Sequence, residues 1–183
     1  KKDKSNRMPT FLYCGHFTYL KNPEEMIIAL KDINKEFKMI CVGDGPLLKK
    51  CKEIVISDPR FIFIGRTNNV PLYFEQSDIL LHFSKTEGFC LSVAEALVSG
   101  MKVIVNDIPI FRELKSKFDI NEMNIIDKKN EIKQSVVHAI ESFESHAFIS
   151  NMDSFVKYNC LKESVAAEKI YDCYRGAYAR VVL

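Results

Sequence analysis

Short apolar segments rich in β-branched and aromatic residues alternate with helical patterns along this chain. The strand-like runs cover residues 10–17, 37–43, 60–65, 78–84, 102–106 and 124–127. The helical patterns cover residues 23–35, 46–55, 71–76, 89–99, 109–116 and 129–144. Because the runs are apolar on both faces, helices are expected on both sides of the sheet. The alternation predicts an α/β fold with a doubly wound, mostly parallel sheet of about six strands.

The chain has 183 residues, which suits one domain with a substantial core. Residues 1–9 are charged and precede no long apolar stretch, so they predict a linker and not a signal peptide or anchor. Residues 10–183 are predicted to form a single domain with C-terminal helices, the last within 161–183. A chain that opens on a linker without an initiator Met is expected to be part of a longer protein.

Charge and cysteine content exclude several classes of function. Lys plus Arg number 26 against 24 Asp plus Glu, so no strong field would attract nucleic acid. No apolar run is as long as a membrane span, which leaves peripheral membrane association at most. The six cysteines form no C-x-x-C pair and no metal-binding pattern, which favours reduced thiols in a cytoplasmic protein.

Ligands of open α/β sheets bind beyond the carboxyl ends of the strands. The loops at those positions cover residues 16–21, 43–46, 66–69, 84–91 and 107–111. Residues 43–46, GDGP, predict a compact turn, because they satisfy neither common phosphate-loop motif. His16 and Lys21 are ambiguous, since each is either a ligand contact or an ordinary loop residue.

The segment TEGFCLSVAEALVSG, residues 86–100, places Glu95 inside an apolar helix. A buried carboxylate normally has a partner, and two kinds remain open. One is a cation of the protein, Lys102 or Arg66. The other is a ligand with vicinal hydroxyls, bound beside an anion at a helix amino terminus near Phe89. Glu87 would lie in the loop before that helix.

The order of these motifs resembles the nucleotide-sugar-binding half of a GT-B glycosyltransferase of the large retaining family 4, or group 1. Its glycine loop and later lysine match Gly15 and Lys21, and its G-x-G-P turn matches GDGP. Its F-x-G strand end matches residues 63–65. Residues 68–108 are similar to the family's E-x7-E stretch, with Glu87 and Glu95 as the two glutamates.

The resemblance implies a role for each matched residue. Glu95 would bind the ribose of the donor, Glu87 the transferred sugar, and Lys21 the diphosphate. The sugar and diphosphate would also meet the backbone of a short segment: Gly88, Phe89, Cys90 and Leu91. Two matched positions depart from the pattern, because His16 replaces an arginine that contacts the diphosphate and Cys90 replaces a glycine. Arg66, where the base is usually met, is a candidate to supply the missing cation.

The function that the resemblance implies is retaining transfer of a sugar from a nucleotide diphosphate to a glycan or lipid-linked acceptor. No cofactor or metal is expected. The acceptor would bind an N-terminal domain that precedes this segment, so the chain alone is expected to be inactive. We expect a role in polysaccharide biosynthesis, in the cytoplasm or at the cytoplasmic face of the membrane. The alternatives are a GT-B epimerase or hydrolase of nucleotide sugars and a non-catalytic flavodoxin-like binding module.

Overall fold

The computed structural model describes residues 8–118, 120–127 and 131–145, in which strands and helices alternate strictly. The strands are β1 (Thr10–Cys14), β2 (Lys38–Val42), β3 (Phe61–Gly65), β4 (Ile79–His82), β5 (Lys102–Asn106) and β6 (Met123–Ile126). The helices are α1 (Pro23–Lys31), α2 (Leu48–Ile54), α3 (Val70–Gln76), α4 (Leu91–Val98), α5 (Pro109–Phe118) and α6 (Glu131–Ser145). Most of the predicted linker and the whole predicted terminal helix lie outside the described residues.

All six strands belong to one parallel sheet in the order β3-β2-β1-β4-β5-β6. The first three strands therefore extend the sheet on one side of β1. The chain then returns to the other side of β1, where β4, β5 and β6 follow in order. The predicted doubly wound α/β fold is confirmed. The order is that of a dinucleotide-binding Rossmann fold and differs from the flavodoxin-like order 2-1-3-4-5, which argues against the flavodoxin-like alternative.

Both faces of the sheet are buried, as the apolar runs predict. In β1, Phe11 and Tyr13 belong to one apolar cluster and Leu12 to the other, because successive side chains point to opposite faces. The first cluster includes side chains of α1, α2 and α6, and the second includes side chains of α3, α4 and α5. Among the helices of the described ranges, none is both long and apolar enough for a membrane crossing.

Among the predicted element boundaries that were wrong, two lie at the carboxyl edge of the sheet, and they differ from the structure for different reasons. The first strand was predicted to continue to residue 17 but ends at Cys14, where the chain turns and the Gly15 amide donates to the Val42 carbonyl at 3.0 Å. The fourth helix was predicted to begin near Phe89 but begins at Leu91. Cys90 has φ 61° and ψ 74°, a left-handed conformation that cannot be part of a right-handed helix.

The GDGP segment is a compact turn against the loop that follows β1. A Cβ on Gly43, which has φ +129°, would lie 1.9 Å from the Gly15 carbonyl oxygen. A Cβ on Gly45 would lie 2.7 Å from the Phe17 carbonyl oxygen. Only glycine allows the two backbones to approach this closely. The turn therefore has a structural role: it fixes the loop that carries Lys21.

Candidate functional site

The strand order reverses between β1 and β4, and the loops after these two strands meet at Glu87. Glu87 Oε1 lies 2.5 Å from Lys21 Nζ, which comes from the loop after β1. The same oxygen lies 2.7 Å from Nε2 of His82, the last residue of β4. Burial would raise the pKa of Glu87, but its hydrogen bonds with His82 and Lys21 outweigh burial and lower the pKa to about 2. Glu87 is therefore a fixed anion.

His82 was not identified from the sequence, although it is the most buried charged or titratable group in contact with Glu87. Its side chain is 1% exposed, with Nε2 2.8 Å from the Ser84 hydroxyl and Nδ1 3.4 Å from the Ser92 hydroxyl. Burial lowers the pKa of His82, whereas hydrogen bonds with Cys90 and Glu87 raise it, and the result is about 9. Contact with the Glu87 carboxylate therefore favours the protonated, positively charged ring.

Glu95 lies half-buried in the second turn of α4. Burial raises the pKa of its carboxyl group to about 7. Neither Lys102 nor Arg66 pairs with it, and within the described ranges no other cation does. Burial and the nearby charge of Glu95 raise the pKa of the Cys14 thiol to about 12, so the carboxylate lies close to the end of β1. The alternative of a structural ion pair for Glu95 is wrong for the described part of the chain.

The segment between the two glutamates leaves backbone accessible. A Cβ on Gly88 would meet no heavy atom within 4 Å, so the space in front of this residue is open. Phe89 and Leu91 are exposed, at 38% and 49%, and α4 begins immediately after Cys90. An anion that approached Gly88 would meet the amino terminus of α4, where unpaired amides and the helix dipole attract negative charge.

Three predicted site residues take little part in this arrangement. His16 has an exposed side chain, and its carbonyl accepts from the Tyr13 hydroxyl at 2.9 Å. The Gly15 amide is already used by Val42. Arg66 is exposed and follows β3, which β2 and β1 separate from β4. Within the described residues, the basic side chains in contact with Glu87 are Lys21 and His82.

A metal ion fits this cluster poorly. His82, Glu87 and Cys90 offer ligand atoms that all lie within 4.8 Å of one another. The ammonium of Lys21 and the imidazolium of His82 already contact the carboxylate, so a metal cation would meet two positive charges. We interpret the group as a hydrogen-bond network, and the absence of a metal from the function stays a prediction.

A shallow depression of about 550 Å³ lies at the opposite edge of the sheet, around the amino end of β3. It is lined mainly by the segment between α2 and β3, together with Lys52 and Phe63. Its charged groups do not converge on a common point in the way that Lys21, His82 and Glu87 do. The carboxyl edge is therefore the better candidate for chemistry.

The chain is similar to several bacterial glycosyltransferases. It is 25% identical over 177 residues to N-acetyl-alpha-D-glucosaminyl L-malate synthase of Bacillus anthracis, covering 93% of this chain and 45% of the relative. It is 28% identical over 170 residues to the O-antigen biosynthesis glycosyltransferase WclY of Escherichia coli, covering 87% of this chain and 45% of the relative. The chain thus spans about half the length of the curated relatives it matches.

Solved structures agree with the fold. The Anabaena protein HepE in complex with UDP-glucose superposes with a TM-score of 0.69 at 17% identity, covering 94% of this chain and 49% of HepE. At this identity the likeness shows the fold alone, which is that of GT-B enzymes. The family described as glycosyl transferases group 1 matches residues 1–158. The chain therefore belongs to the group 1 family of glycosyl transferases.

Proposed function

We propose that this chain is the donor-binding domain of a retaining glycosyltransferase and that it binds a nucleotide-diphosphate sugar at the carboxyl edge of β1 and β4. The observation that carries the proposal is the carboxylate of Glu95, half-buried and without an ion pair in the described residues. A carboxylate that is costly to bury and has no protein cation is best explained by a ligand. Vicinal ribose hydroxyls would satisfy it with two hydrogen bonds.

The neighbouring groups support a defined order for the parts of the donor. With the ribose on Glu95, the diphosphate would lie at the start of α4, near Gly88 and Leu91. The transferred sugar would then reach Glu87. Two of the named relatives and neighbours support the ligand class: HepE was solved with UDP-glucose, and the Bacillus anthracis relative is named for a glucosaminyl product.

The proposed chemistry breaks the bond between the anomeric carbon and the diphosphate oxygen. Negative charge then grows on the diphosphate, so positive groups fixed beside it act mostly in the transition state. Lys21 is placed to supply that charge. In the proposed retaining mechanism, the acceptor hydroxyl attacks from the face that the diphosphate leaves, and the diphosphate accepts its proton. Glu87 positions the sugar and does not act as a nucleophile, and no metal is needed.

The acceptor and the setting are proposed from the relatives. The name of WclY refers to O-antigen biosynthesis, which supports a glycan or lipid-linked acceptor and a role in polysaccharide biosynthesis in the cytoplasm or at its membrane face. Because the chain spans about half of its relatives, we propose that the acceptor binds the other half of a full-length enzyme. The 183-residue chain alone should then bind a donor without transferring its sugar.

Calorimetric titration of the chain with UDP-glucose, UDP-N-acetylglucosamine and GDP-mannose tests this proposal. At least one of them should bind, and Glu95→Gln should weaken that binding by about 10- to 100-fold, because a hydrogen bond to a charged group contributes about 1.5–3 kcal/mol. The matched control is Glu53→Ala, which changes an exposed glutamate in the second half of α2. It should leave the affinity unchanged. Failure of all three donors to bind, or equal affinities for Glu95→Gln and the parent, would refute the proposed role of this edge.

A further inference from the structure

Two basic side chains contact the same oxygen of Glu87. Lys21 reaches Oε1 from the surface, where its side chain is 30% exposed. His82 reaches it from the interior, where its side chain is 1% exposed. Lys21 lies in a surface turn, whereas His82 ends a buried strand. The two contacts therefore differ in setting: one is made by a partly exposed side chain and the other by a residue of the buried sheet.

The orientation of the His82 ring is fixed from several elements. The Ser84 hydroxyl holds Nε2 at 2.8 Å, and the Ser92 hydroxyl of α4 faces Nδ1 at 3.4 Å. The ring of Phe111 in α5 packs edge-to-face against it, with 6.0 Å between centroids. A ring held in this way can present Nε2–H to Glu87 whether or not Lys21 is present.

The balance of charge shows what His82 adds. Glu87 and Lys21 alone would form a neutral pair, and removal of Lys21 would leave a carboxylate that is 7% exposed without a partner. Such a carboxylate is costly to maintain, so it would retain the ammonium. The imidazole lies 2.7 Å from the carboxylate, and when it is protonated it supplies a second positive charge, so that Lys21, His82 and Glu87 together carry a net charge of +1. This net positive charge would favour the binding of a diphosphate.

We propose that His82 is a positioning residue, the permanent counter-ion of Glu87, which releases the ammonium of Lys21 to contact the diphosphate of the donor. The inference rests on the proposed function, because it assigns the freed charge to the donor. It also explains how a chain with His16 in place of the family's arginine can still offer a cation to the diphosphate at this edge. His82 itself does not touch the donor and acts only through Glu87 and Lys21.

Titrations of His82→Leu and His82→Gln with the tightest donor of the panel, and with the corresponding nucleoside monophosphate, test the proposal. His82→Leu should weaken nucleotide-sugar binding by about 10- to 100-fold, as expected for loss of a charged hydrogen bond. Binding of the monophosphate, which lacks both the sugar and the second phosphate, should change by less than about twofold. His82→Gln retains an N–H donor without the charge and should fall between the parent and His82→Leu. The matched control is His138→Leu at an exposed position of α6, which should change neither affinity.

Unchanged nucleotide-sugar affinity in both His82 variants would overturn the proposal. An equal loss for the monophosphate would also overturn it, because that result indicates general damage to the site. If His82→Leu does not fold, the comparison of His82→Gln with the parent decides in the same way.

A second measurement needs no donor and so separates failure of this inference from failure of the proposed function. The rate at which an N-hydroxysuccinimide ester acetylates Lys21 can be followed by peptide mass spectrometry, with exposed Lys49 as the internal reference. When His82 is replaced by Leu, Lys21 becomes the counter-ion that Glu87 retains. Its acetylation should slow at least about threefold relative to Lys49, because an ammonium held by a carboxylate deprotonates less readily. Equal relative rates in the parent and His82→Leu would overturn the inference even if a donor binds.

Discussion

Among single residues, the candidate site is defined by two carboxyl groups whose pKa values are shifted in opposite directions. Glu87 is a stabilised anion between two cations, while burial raises the pKa of Glu95 to about 7. The resemblance to the family's E-x7-E motif predicted both glutamates as site residues. The sequence offered much less for His82, because a single histidine in an apolar strand has no spacing pattern. The available signal was that His82 and Ser84 share one face at the end of a buried run, where polar groups need partners.

The raised pKa of Glu95 predicts a pH-dependent cost to stability. The ordinary value is 4.5 and the folded value is about 7, so between these values the folded protein binds more protons than the unfolded chain. The stabilising effect of the protonated carboxyl group is complete below about pH 4.5 and lost as the pH rises through about 7. We therefore expect Glu95→Gln to be more stable than the parent at pH 8, by about 1–2 kcal/mol because the group is only partly shielded from water, and nearly equal at pH 4.5.

Urea unfolding of the two proteins at both pH values measures this difference. The Glu53→Ala variant serves as the reference, since its exposed carboxylate should give a difference from the parent that does not change with pH. A constant gap between Glu95→Gln and the parent across this range would mean that Glu95 is not desolvated in the folded protein.

At the scale of elements, the site depends on where strands end and how closely their loops approach. Every predicted strand and helix of the described ranges was found, because strong apolar periodicity is a local property of the sequence. The boundaries were less predictable. The start of α4 depends on the left-handed conformation of Cys90, and the end of β1 depends on a turn at Gly15 that contacts a different strand. Local apolar periodicity predicts neither the conformation of Cys90 nor the turn at Gly15.

Two glycines at this edge should respond differently to the same substitution. Gly43→Ala should destabilise the fold by at least about 2 kcal/mol, because the new methyl group meets the Gly15 carbonyl at a positive φ. Gly88→Ala should change stability by less than about 0.5 kcal/mol, since its methyl group enters open space. Urea unfolding measures both effects.

The same two substitutions distinguish an effect on folding from an effect on donor binding. If the donor lies against the backbone at Gly88, Gly88→Ala should weaken nucleotide-sugar binding by about tenfold, or 1.4 kcal/mol, while the protein remains fully folded. A Gly88→Ala variant with unchanged affinity would place the donor away from this segment. A Gly43→Ala variant as stable as the parent would show that the turn does not need the close approach seen here.

At the scale of the whole molecule, the strand order creates the site. β1 and β4 are separated by more than sixty residues in the sequence yet lie side by side in the sheet. The loops that follow them therefore bring Lys21 into contact with Glu87. The alternation of elements predicted a parallel sheet, but the order of its strands depends on non-local pairing that local patterns do not contain. No strand order was predicted from the sequence, and the structure supplies it.

Binding of the donor at the carboxyl edge of β1 and β4 can be tested by amide chemical-shift mapping. The ¹⁵N-labelled chain would be titrated with the nucleotide sugar that binds most tightly in calorimetry. We expect the largest shift changes at Gly15, Gly88 and Leu91, with none at Asp58 and Arg60 on the opposite edge. Changes centred on Asp58 and Arg60, with Gly88 and Leu91 unmoved, would contradict it.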